Sequence, residues 1–249
     1  MTFNNSDYLY VADGTRIQIF DPNLNYYGEI RAPVDPIYFR PRGIFINSTG
    51  HLYAADTSEH SIRIFTQNGT FLRRFGTEGS EPDQFQSPYA VFVNGTGFIH
   101  VLDRFHWMIK IFNPDETYNS SIDVTGSDMK INGTGHIYVL GQSVEIYTPD
   151  GSRRIKTIST PNGYAEHLAR EASVNFYCRK NSEYNIEKYT MTGVYQQDFG
   201  HKAYSEPGQF NWAKDIAVNS TGYSYVSDSQ NHRIQIFNPS GQYVSEFGT

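Results

Sequence analysis

The residues of this sequence best able to do chemistry are two aspartates, a histidine and a glutamate that stand far apart along the chain. Asp128, His167 and Asp215 are 39 and 48 residues apart, and Glu166 precedes the histidine. Two carboxylates and an imidazole can bind Ca²⁺, Mn²⁺ or Zn²⁺ and leave positions open for a substrate. They predict a metal site only if the fold brings them together.

Other chemistries have less support. The single cysteine, Cys178, excludes an internal disulfide framework and a multi-cysteine zinc site. Neither a G-x-S-x-G nucleophile elbow nor a glycine-rich phosphate loop is present. The formal net charge of -6 argues against binding of a nucleic-acid backbone, which needs a basic face. No apolar run is long enough to span a membrane.

A repeat governs the chain of 249 residues. Three segments read GHLYAAD, GFIHVLD and GYSYVSD, and three weaker copies accompany them. The six copies end at Asp56, Asp103, Asp228, Asp13, Gly141 and Lys180. Six units of about 41 residues have the length of propeller blades.

Each unit contains four short apolar segments separated by turn signals, which predicts four antiparallel strands. In the second unit the predicted strands are Gly43–Ile46, His51–Ala55, Ile62–Phe65 and Phe71–Phe75. Such a sheet is too small to bury both faces alone, but six packed radially bury each other. The sequence therefore predicts an all-β, six-bladed β-propeller, a single domain over 1–249. Its blades are expected at roughly 1–31, 40–76, 87–124, 127–158, 165–200 and 212–248.

Isoleucines recurring in the third strand of the units should form the core between blades; they include Ile17, Ile62, Ile109 and Ile234. Because the chain starts inside an innermost strand, we expect the ring to close by side-chain packing alone.

The sequence of the sixth unit resembles the NHL repeat. The run from Asp228 to Gly241 reads DSQNHRIQIFNPSG, and PGQFNWAKDIAV from Pro207 to Val218 supplies the preceding part of the pattern. The resemblance covers nearly the whole chain, is strong in units two, three and six, and is poor in unit five. It implies a six-bladed propeller. The N-x-T-G turns are similar, more loosely, to NHL-type domains in surface proteins of methanogenic archaea.

The top face, where blade crossovers and second-to-third strand turns lie, is the predicted binding surface. Residues before or at the start of the inner strands face the mouth of the channel there, and the crossovers add aromatic residues. Mixed charges with Tyr, Trp and Arg are typical of binding hot spots. The predicted ligand-binding residues are Arg42, Tyr89, Glu166, Lys214, Trp212 and Trp107. Asp128, His167 and Asp215 are the alternative, metal-binding set on the channel axis.

The repeated aspartates and histidines are expected to be structural. Asp13, Asp56, Asp103 and Asp228 should orient loops through charge-assisted hydrogen bonds. His60 and His232 occupy a position that holds Trp107 in another unit, so we expect packing between blades there. Architecture recurs in this way, whereas a catalytic site needs unlike residues that converge once.

N-x-Ser/Thr tripeptides occur more often than composition alone predicts, and most fall in the first turn of a unit, on the bottom face. They are at Asn4, Asn47, Asn68, Asn94, Asn119, Asn132 and Asn219. Asn and Gly are simply good turn residues, which is one interpretation. A turn by itself should not need Ser or Thr two positions on, so N-glycosylation is the other interpretation.

The cellular location of the protein depends on whether these asparagines are glycosylated. The first seven residues are not a signal peptide. The chain is expected to be either a monomeric ring excised from a longer surface protein or an intact small protein, which would be cytoplasmic. Glycosylation would place it outside the cell.

RNA binding is a third function class, since some animal NHL propellers bind RNA on a basic top face. Basic residues there are Arg40, Arg42, Lys202 and Lys214. They are opposed on the same face by Glu78, Glu81, Asp83, Glu166 and Glu206. We therefore expect no nucleic-acid partner.

The sequence favours a non-enzymatic extracellular module that binds a protein or glycan on the top face, with no cofactor and no membrane insertion. The alternative is a metal-dependent enzyme with its site in the central channel. Related six-bladed propellers include metal-dependent lactonases and amidating lyases, but those enzymes carry His or acidic ligands that this chain does not clearly reproduce. Gly43 and Ala90 supply no ligand at two of the channel positions.

Overall fold

Short antiparallel strands, grouped four by four into sheets, form the part of the chain that the structure describes. The structure is a computed structural model that describes residues 1–33, 38–159, 165–171, 175–180, 185–190, 192–201 and 205–248. The side chains of 165–171, 176 and 178–180 lie outside that description. The six sheets found in these ranges confirm the predicted all-β propeller with four-stranded antiparallel blades.

The strands follow one another in chain order within each sheet. The first two sheets contain β1 (Thr2–Phe3), β2 (Leu9–Asp13), β3 (Arg16–Phe20), β4 (Tyr26–Ile30), and β5 (Pro41–Ile46), β6 (His51–Asp56), β7 (Ser61–Thr66), β8 (Phe71–Phe75). The next two contain β9 (Pro88–Val93), β10 (Ile99–Asp103), β11 (Met108–Phe112), β12 (Tyr118–Asp123), and β13 (Asp128–Ile131), β14 (Ile137–Leu140), β15 (Ser143–Tyr147), β16 (Arg154–Ser159). The last two contain β17 (Ala165–Glu171), β18 (Asn175–Lys180), β19 (Ile186–Thr190), β20 (Tyr195–Phe199), and β21 (Ala213–Val218), β22 (Ser224–Asp228), β23 (Arg233–Phe237), β24 (Tyr243–Phe247). A 3-10 helix covers Ser229–Asn231, and among the described residues we find no helix with the length and apolar character to cross a membrane.

The first strand of every sheet faces the centre. Strands β1, β5, β9, β13, β17 and β21 contact one another in turn, and β21 returns to β1. All of them run from the crossover side towards the first turn of the sheet. Residues at the starts of these strands therefore gather at one end of a central channel, and the first turns gather at the other end.

The core lies between the sheets rather than at the centre of the ring. The described buried side chains form six clusters, each drawn from two neighbouring sheets. Ile17, Ile62 and Ile109 are completely buried in these clusters, and Ile234 is nearly so. Burial of large aliphatic side chains is worth about 1.5–3 kcal/mol each, so the neighbouring blades stabilise one another. The expected core between blades is confirmed.

Glycines end the outer strands where the chain turns towards the next blade. Gly76 follows β8 with φ +84°, and a side chain there would collide with the ring of Phe85. Phe85 is fully buried and belongs to the crossover that leads into β9. Only glycine combines this backbone conformation with so close an approach. The turn therefore sets the direction in which the chain enters the next inner strand.

The ring closes through side chains. Phe3 and Tyr225 rings stack edge to face at 4.9 Å, and the Ser220 hydroxyl donates to the Asp7 carboxylate at 2.5 Å. The first and last sheets remain separate four-stranded sheets, with no ladder between them in the described residues. Closure without a shared strand agrees with the prediction.

Candidate functional site

A cavity of about 310 Å³ occupies the channel where the inner strands begin. Its described lining comes from five of the six sheets and includes Arg42, Tyr89, Asp128, Lys214 and Asp215. The structure thus brings five of the predicted site residues together. The backbone of Glu166 and His167 lies in β17, but their side chains are outside the described part of the chain.

The repeated aspartates position the mouth of this cavity. The Asp56 carboxylate accepts the Arg40 N–H at 3.0 Å. Asp103 accepts the Ser87 N–H at 2.8 Å, and Asp228 accepts the Asn211 N–H at 2.8 Å. Each donor lies in a crossover, two or three residues before Arg42, Tyr89 or Lys214. The predicted role in loop orientation is therefore confirmed for Asp56, Asp103 and Asp228, which hold loops that lead to the mouth. The contacts found for Asp13 are instead with the side chains of Arg16 and Gln18.

The charged lining is more basic than acidic. Asp128 is buried and lies 3.4 Å from the Lys130 ammonium. The Asp215 carboxylate accepts the Ile216 N–H at 2.9 Å and contacts the N-terminal amino group of Met1. Lys130 was not expected here, although its alternation with Asp128 along β13 places both on one side of the strand.

Aromatic rings form much of the remaining wall. The Tyr89 ring lies 5.9 Å from the Arg42 guanidinium and 5.0 Å from that of Arg104. Further along the channel, the rings of Phe45 and Phe92 lie with their centroids 4.0 Å apart. A cation over the face of a tyrosine ring attracts the ring, so Arg42 and Arg104 help to fix the Tyr89 ring at the mouth.

Close strand packing narrows the channel at one point. A side chain at Gly43 would collide with the backbone of Tyr89 and Ala90 in the neighbouring inner strand. Glycine at this position therefore lets β5 and β9 approach, and it brings Arg42 and Tyr89 close together.

The described donors do not make a metal site. Asp128 and Asp215 line one cavity, but no group of three His, Cys, Asp or Glu side chains suited to a metal occurs among the described residues. Both carboxylates already face cations. The metal set with His167 stays a prediction, because that side chain is outside the description.

The two tryptophans lie outside the cavity. Trp212 is 41% exposed and precedes Lys214 by two residues, and its carbonyl accepts the Ser229 N–H at 3.0 Å. Trp107 is 54% exposed beside the still more exposed Phe105. Their predicted binding roles remain predictions.

Packing between blades was expected at His60, Trp107 and His232. This expectation is wrong for Trp107, whose side chain is too exposed for such packing. What the three share is a left-handed backbone, with φ of +49°, +54° and +53°. Only His60 reaches a neighbouring blade in the expected way, since its Nδ1 lies 2.8 Å from the Gln86 carbonyl oxygen. The repeat therefore preserves a turn geometry there rather than a packing contact.

The Ser or Thr of the first turns has a structural role, contrary to the expectation from the sequence. The Asn47 Oδ1 accepts the Thr49 N–H at 3.1 Å, the Thr49 hydroxyl at 2.8 Å and the His51 N–H at 2.9 Å. The same arrangement recurs in the equivalent turns, at Asn94, Asn132 and Asn219. Third turns use it with no glycosylation signal: Asp150 accepts from Ser152, and Asn238 accepts from Ser240 across Pro239. Turn geometry thus accounts for much of the repeated tripeptide.

Two of the other glycosylation candidates are placed differently. Asn68 is exposed in a third turn that Thr66 caps instead, and its side chain makes no hydrogen bond with a described residue. Asn119 lies in β12, where its amide donates to Asn113 at 3.0 Å. Asn4 caps the first turn of the first sheet by accepting the Ser6 and Tyr8 N–H groups. Glycosylation at all seven asparagines stays a prediction.

The whole chain is similar in structure to solved propeller lyases. No protein-family model matches the sequence, and a comparison with curated proteins gives no match. The selenomethionine-substituted virginiamycin B lyase from Staphylococcus aureus superposes with a TM-score of 0.69 at 10% identity, over 99% of this chain and 82% of that one. A streptogramin B lyase structure superposes with a TM-score of 0.70 at 12% identity, over 100% and 81% of the two chains. At such identities the likeness shows that this chain has the β-propeller fold of these lyases, and nothing finer.

Proposed function

We propose that the channel cavity is the site of a small-molecule enzyme of the lyase or lactonase type. One observation carries the proposal: in the described part of the chain, side chains of opposite charge from different blades converge on one cavity. The repeated aspartates behave in the opposite way, recurring from blade to blade and holding loops. A cavity of about 310 Å³ suits a small ligand rather than a macromolecule. The structural likeness to lyases supports the same choice.

The side chains present can supply elimination or hydrolysis. An elimination needs a base that takes a proton beside a carbonyl group and a cation that stabilises the negative charge on its oxygen. Asp215 and Asp128 are the candidate bases, and Lys214 and Arg42 are the candidate electrostatic stabilisers. The carbon–oxygen bond then breaks, its electrons leave with the carboxylate, and a carbon–carbon double bond forms. No step is assigned to a metal, because the described donors do not form a metal site.

Product analysis tests the proposal. The purified protein is incubated with a panel of lactones and linear esters, with Mg²⁺ and with a chelator, and the products are weighed by mass spectrometry. A lyase gives an unsaturated product without taking up water, and a lactonase adds the mass of one water. Turnover of no member of the panel would reject the enzyme proposal.

Variants connect any turnover to the cavity. Loss of a general base lowers the rate by about 10²–10⁴-fold, which we expect for Asp215→Asn or Asp128→Asn. Asp83→Asn removes the same charge from an exposed crossover residue that does not line the cavity, and it should leave the rate unchanged. Equal losses of rate in all three variants would show that the activity does not depend on the cavity.

A protein- or glycan-binding module is the second candidate, and a different observation favours it. Phe105 and Trp107 present two neighbouring aromatic rings to solvent, 61% and 54% exposed. Exposed aromatic residues of this kind are typical anchors in interfaces. In this proposal the chain is a domain of a longer extracellular or cell-surface protein with an NHL-type repeat, glycosylated at its sequons, and a cytoplasmic location remains the alternative.

Binding to immobilised glycans and to extracellular proteins tests this candidate. We expect Trp107→Ala to abolish a genuine interaction while the folded protein keeps its melting temperature. Trp212→Ala tests whether the surface extends to the channel mouth. Binding that survives Trp107→Ala and Phe105→Ala together would remove this surface from consideration.

A further inference from the structure

Three basic side chains at the mouth of the cavity have no acidic partner in the described chain. Arg40, Arg42 and Lys214 line the cavity and are exposed. None forms an ion pair with a described residue; Arg42 contacts the Tyr89 ring instead. By contrast, Arg63 pairs with Asp56 at 2.7 Å, and Arg233 pairs with Asp228 at 3.1 Å. Three cations without a described acidic partner therefore meet at this mouth, where a ligand would contact them.

The described lining of the cavity has a net positive charge, opposite in sign to the net charge of the protein. The chain carries a formal net charge of -6. The described lining contains four basic side chains, the fourth being Lys130, against the two carboxylates of Asp128 and Asp215. Lys130 and Asp128 pair with each other, so the excess positive charge is that of the mouth. A concave site lined by one sign of charge attracts ligands of the opposite sign.

The wall beyond the mouth is apolar and aromatic. Phe45 and Phe92 lie ring against ring, and Ile44 and Val91 flank them in the same lining. Tyr89 lines the same cavity, with its ring 5.9 Å from the Arg42 guanidinium. A ligand that fills the cavity therefore meets cations at one end and rings at the other.

We propose that the cavity binds a compact organic carboxylate with an aromatic body. Arg42, Arg40 and Lys214 bind the carboxylate, since guanidinium groups match its two oxygens. The rings of Tyr89, Phe45 and Phe92 contact the aromatic body. The inference rests on the proposed function, because it names the ligand class of that same cavity: an aromatic acid, or the ester that releases one.

Tryptophan fluorescence gives a direct measurement of binding. The chain has two tryptophans, and Trp107→Phe leaves Trp212, two residues from Lys214, as the reporter. Phenylacetate is titrated in this background, with phenylacetamide as the neutral analogue and inorganic phosphate as an anion without a ring. Calorimetry on the unmodified protein checks each titration.

We expect phenylacetate to bind and the amide to bind much more weakly. Loss of a hydrogen bond to a charged group should weaken phenylacetate binding by about tenfold or more in Arg42→Met and in Lys214→Met. Arg153→Met removes an exposed charge from a turn outside the cavity and should change the affinity by less than about twofold. The melting temperatures of all three variants should match that of the parent, because none of these side chains forms an ion pair with a described residue.

Several results would overturn the inference: no binding of phenylacetate up to about 10 mM, an amide that binds as tightly as the acid, or equal weakening in Arg153→Met and Arg42→Met. Phosphate that binds as tightly as phenylacetate would overturn the aromatic part of the ligand. Acid binding without ester turnover would instead refute only the enzyme proposal. Ester turnover with no preference for acid over amide would refute only the anion inference.

Discussion

At the scale of single residues, the same repeated aspartate stands in two very different environments. Asp56 is completely buried and accepts the Arg63 guanidinium at 2.7 Å, with Arg63 itself 4% exposed. Asp13 accepts the Arg16 guanidinium at 3.2 Å and the amide of Gln18, which occupies the strand position of Arg63, at 3.0 Å, and its side chain is 53% exposed. A buried guanidinium that loses its carboxylate cannot be solvated by water, whereas an exposed one can. The repeat therefore provides its own matched pair of ion-pair experiments.

We predict that Asp56→Asn lowers the free energy of unfolding by about 3 kcal/mol, because it leaves the buried Arg63 charge with only the more distant Glu59 carboxylate, at 4.0 Å. Asp13→Asn, the matched control, should cost less than about 1 kcal/mol. Urea unfolding of both variants measures the difference. Equal losses would mean that burial of the pair does not determine its contribution.

His100 is a second residue whose environment decides its behaviour. It is completely buried in β10, and its Nδ1 lies 3.3 Å from the Phe98 carbonyl oxygen. Burial lowers the pKa of the imidazole from 6.5 to about 4, since the charged form would lose its hydration; the backbone carbonyl offsets only part of this. The neutral form is therefore the one that folds.

Stability should consequently fall on acidification between pH 6.5 and pH 4. In that range the unfolded chain binds a proton at this histidine and the folded protein does not, so the free energy of unfolding rises with pH. Below pH 4 the loss reaches about 3 kcal/mol. Carboxylates contribute their own acid dependence, so the measurement compares the pH slopes of the parent and His100→Gln. The variant should show the shallower slope, and identical slopes would contradict the assignment.

At the scale of elements, the first turns explain why a polar tripeptide repeats around the ring. Each turn leaves backbone N–H groups without ladder partners, and one asparagine oxygen accepts two of them together with a hydroxyl. Gly50 completes the turn of the second sheet with φ +80°. The threonine therefore fixes the orientation of the asparagine that caps the turn, independently of any glycan.

Thr49→Val should accordingly destabilise the protein even when it is made in a host without N-glycosylation. The loss of one side-chain hydrogen bond in an exposed turn predicts about 0.5–1 kcal/mol in the free energy of unfolding. Thr49→Ser keeps the hydroxyl and is the control. An unchanged free energy of unfolding in Thr49→Val would show that the turn does not depend on the threonine hydroxyl.

Turn residues and apolar alternation in the sequence predicted most of the fold, but they predicted few of the contacts in the candidate site. The strands predicted as Gly43–Ile46 and His51–Ala55 are observed as Pro41–Ile46 and His51–Asp56, because turn residues and apolar alternation act over a few residues. Alternation along β13 does place Lys130 on the same side as Asp128, but the lack of a described acidic partner for Arg42 and the exposure of Trp107 depend on contacts across strands and blades. No local pattern contains them.

At the scale of the whole molecule, one interface differs from the others. Five pairs of neighbouring blades are also joined by a crossover of the chain. The described contacts between the first and last blades are side-chain packing, the hydrogen bonds of Ser220 to Asp7 and the ion pair of the Met1 amino group with Asp215. Phe247 at the end of β24 contacts Phe20 at 4.9 Å across this seam. Phe75 at the end of β8 makes the equivalent contact with Phe112 at 5.1 Å, between blades that a crossover connects.

Phe247→Ala should therefore open the ring locally, while Phe75→Ala should not. Both changes remove a half-buried ring, so each should lower the free energy of unfolding by a similar amount, about 2–3 kcal/mol. After Phe75→Ala the crossover still holds the two blades at short range, since closing a short loop has a small entropic cost. After Phe247→Ala the described residues join the two blades through noncovalent contacts alone, and hydrogen exchange should accelerate selectively in β1–β4 and β21–β24. Exchange patterns that are alike in the two variants would show that the seam is as cohesive as the tethered interfaces, and that side-chain packing alone determines how the ring holds together.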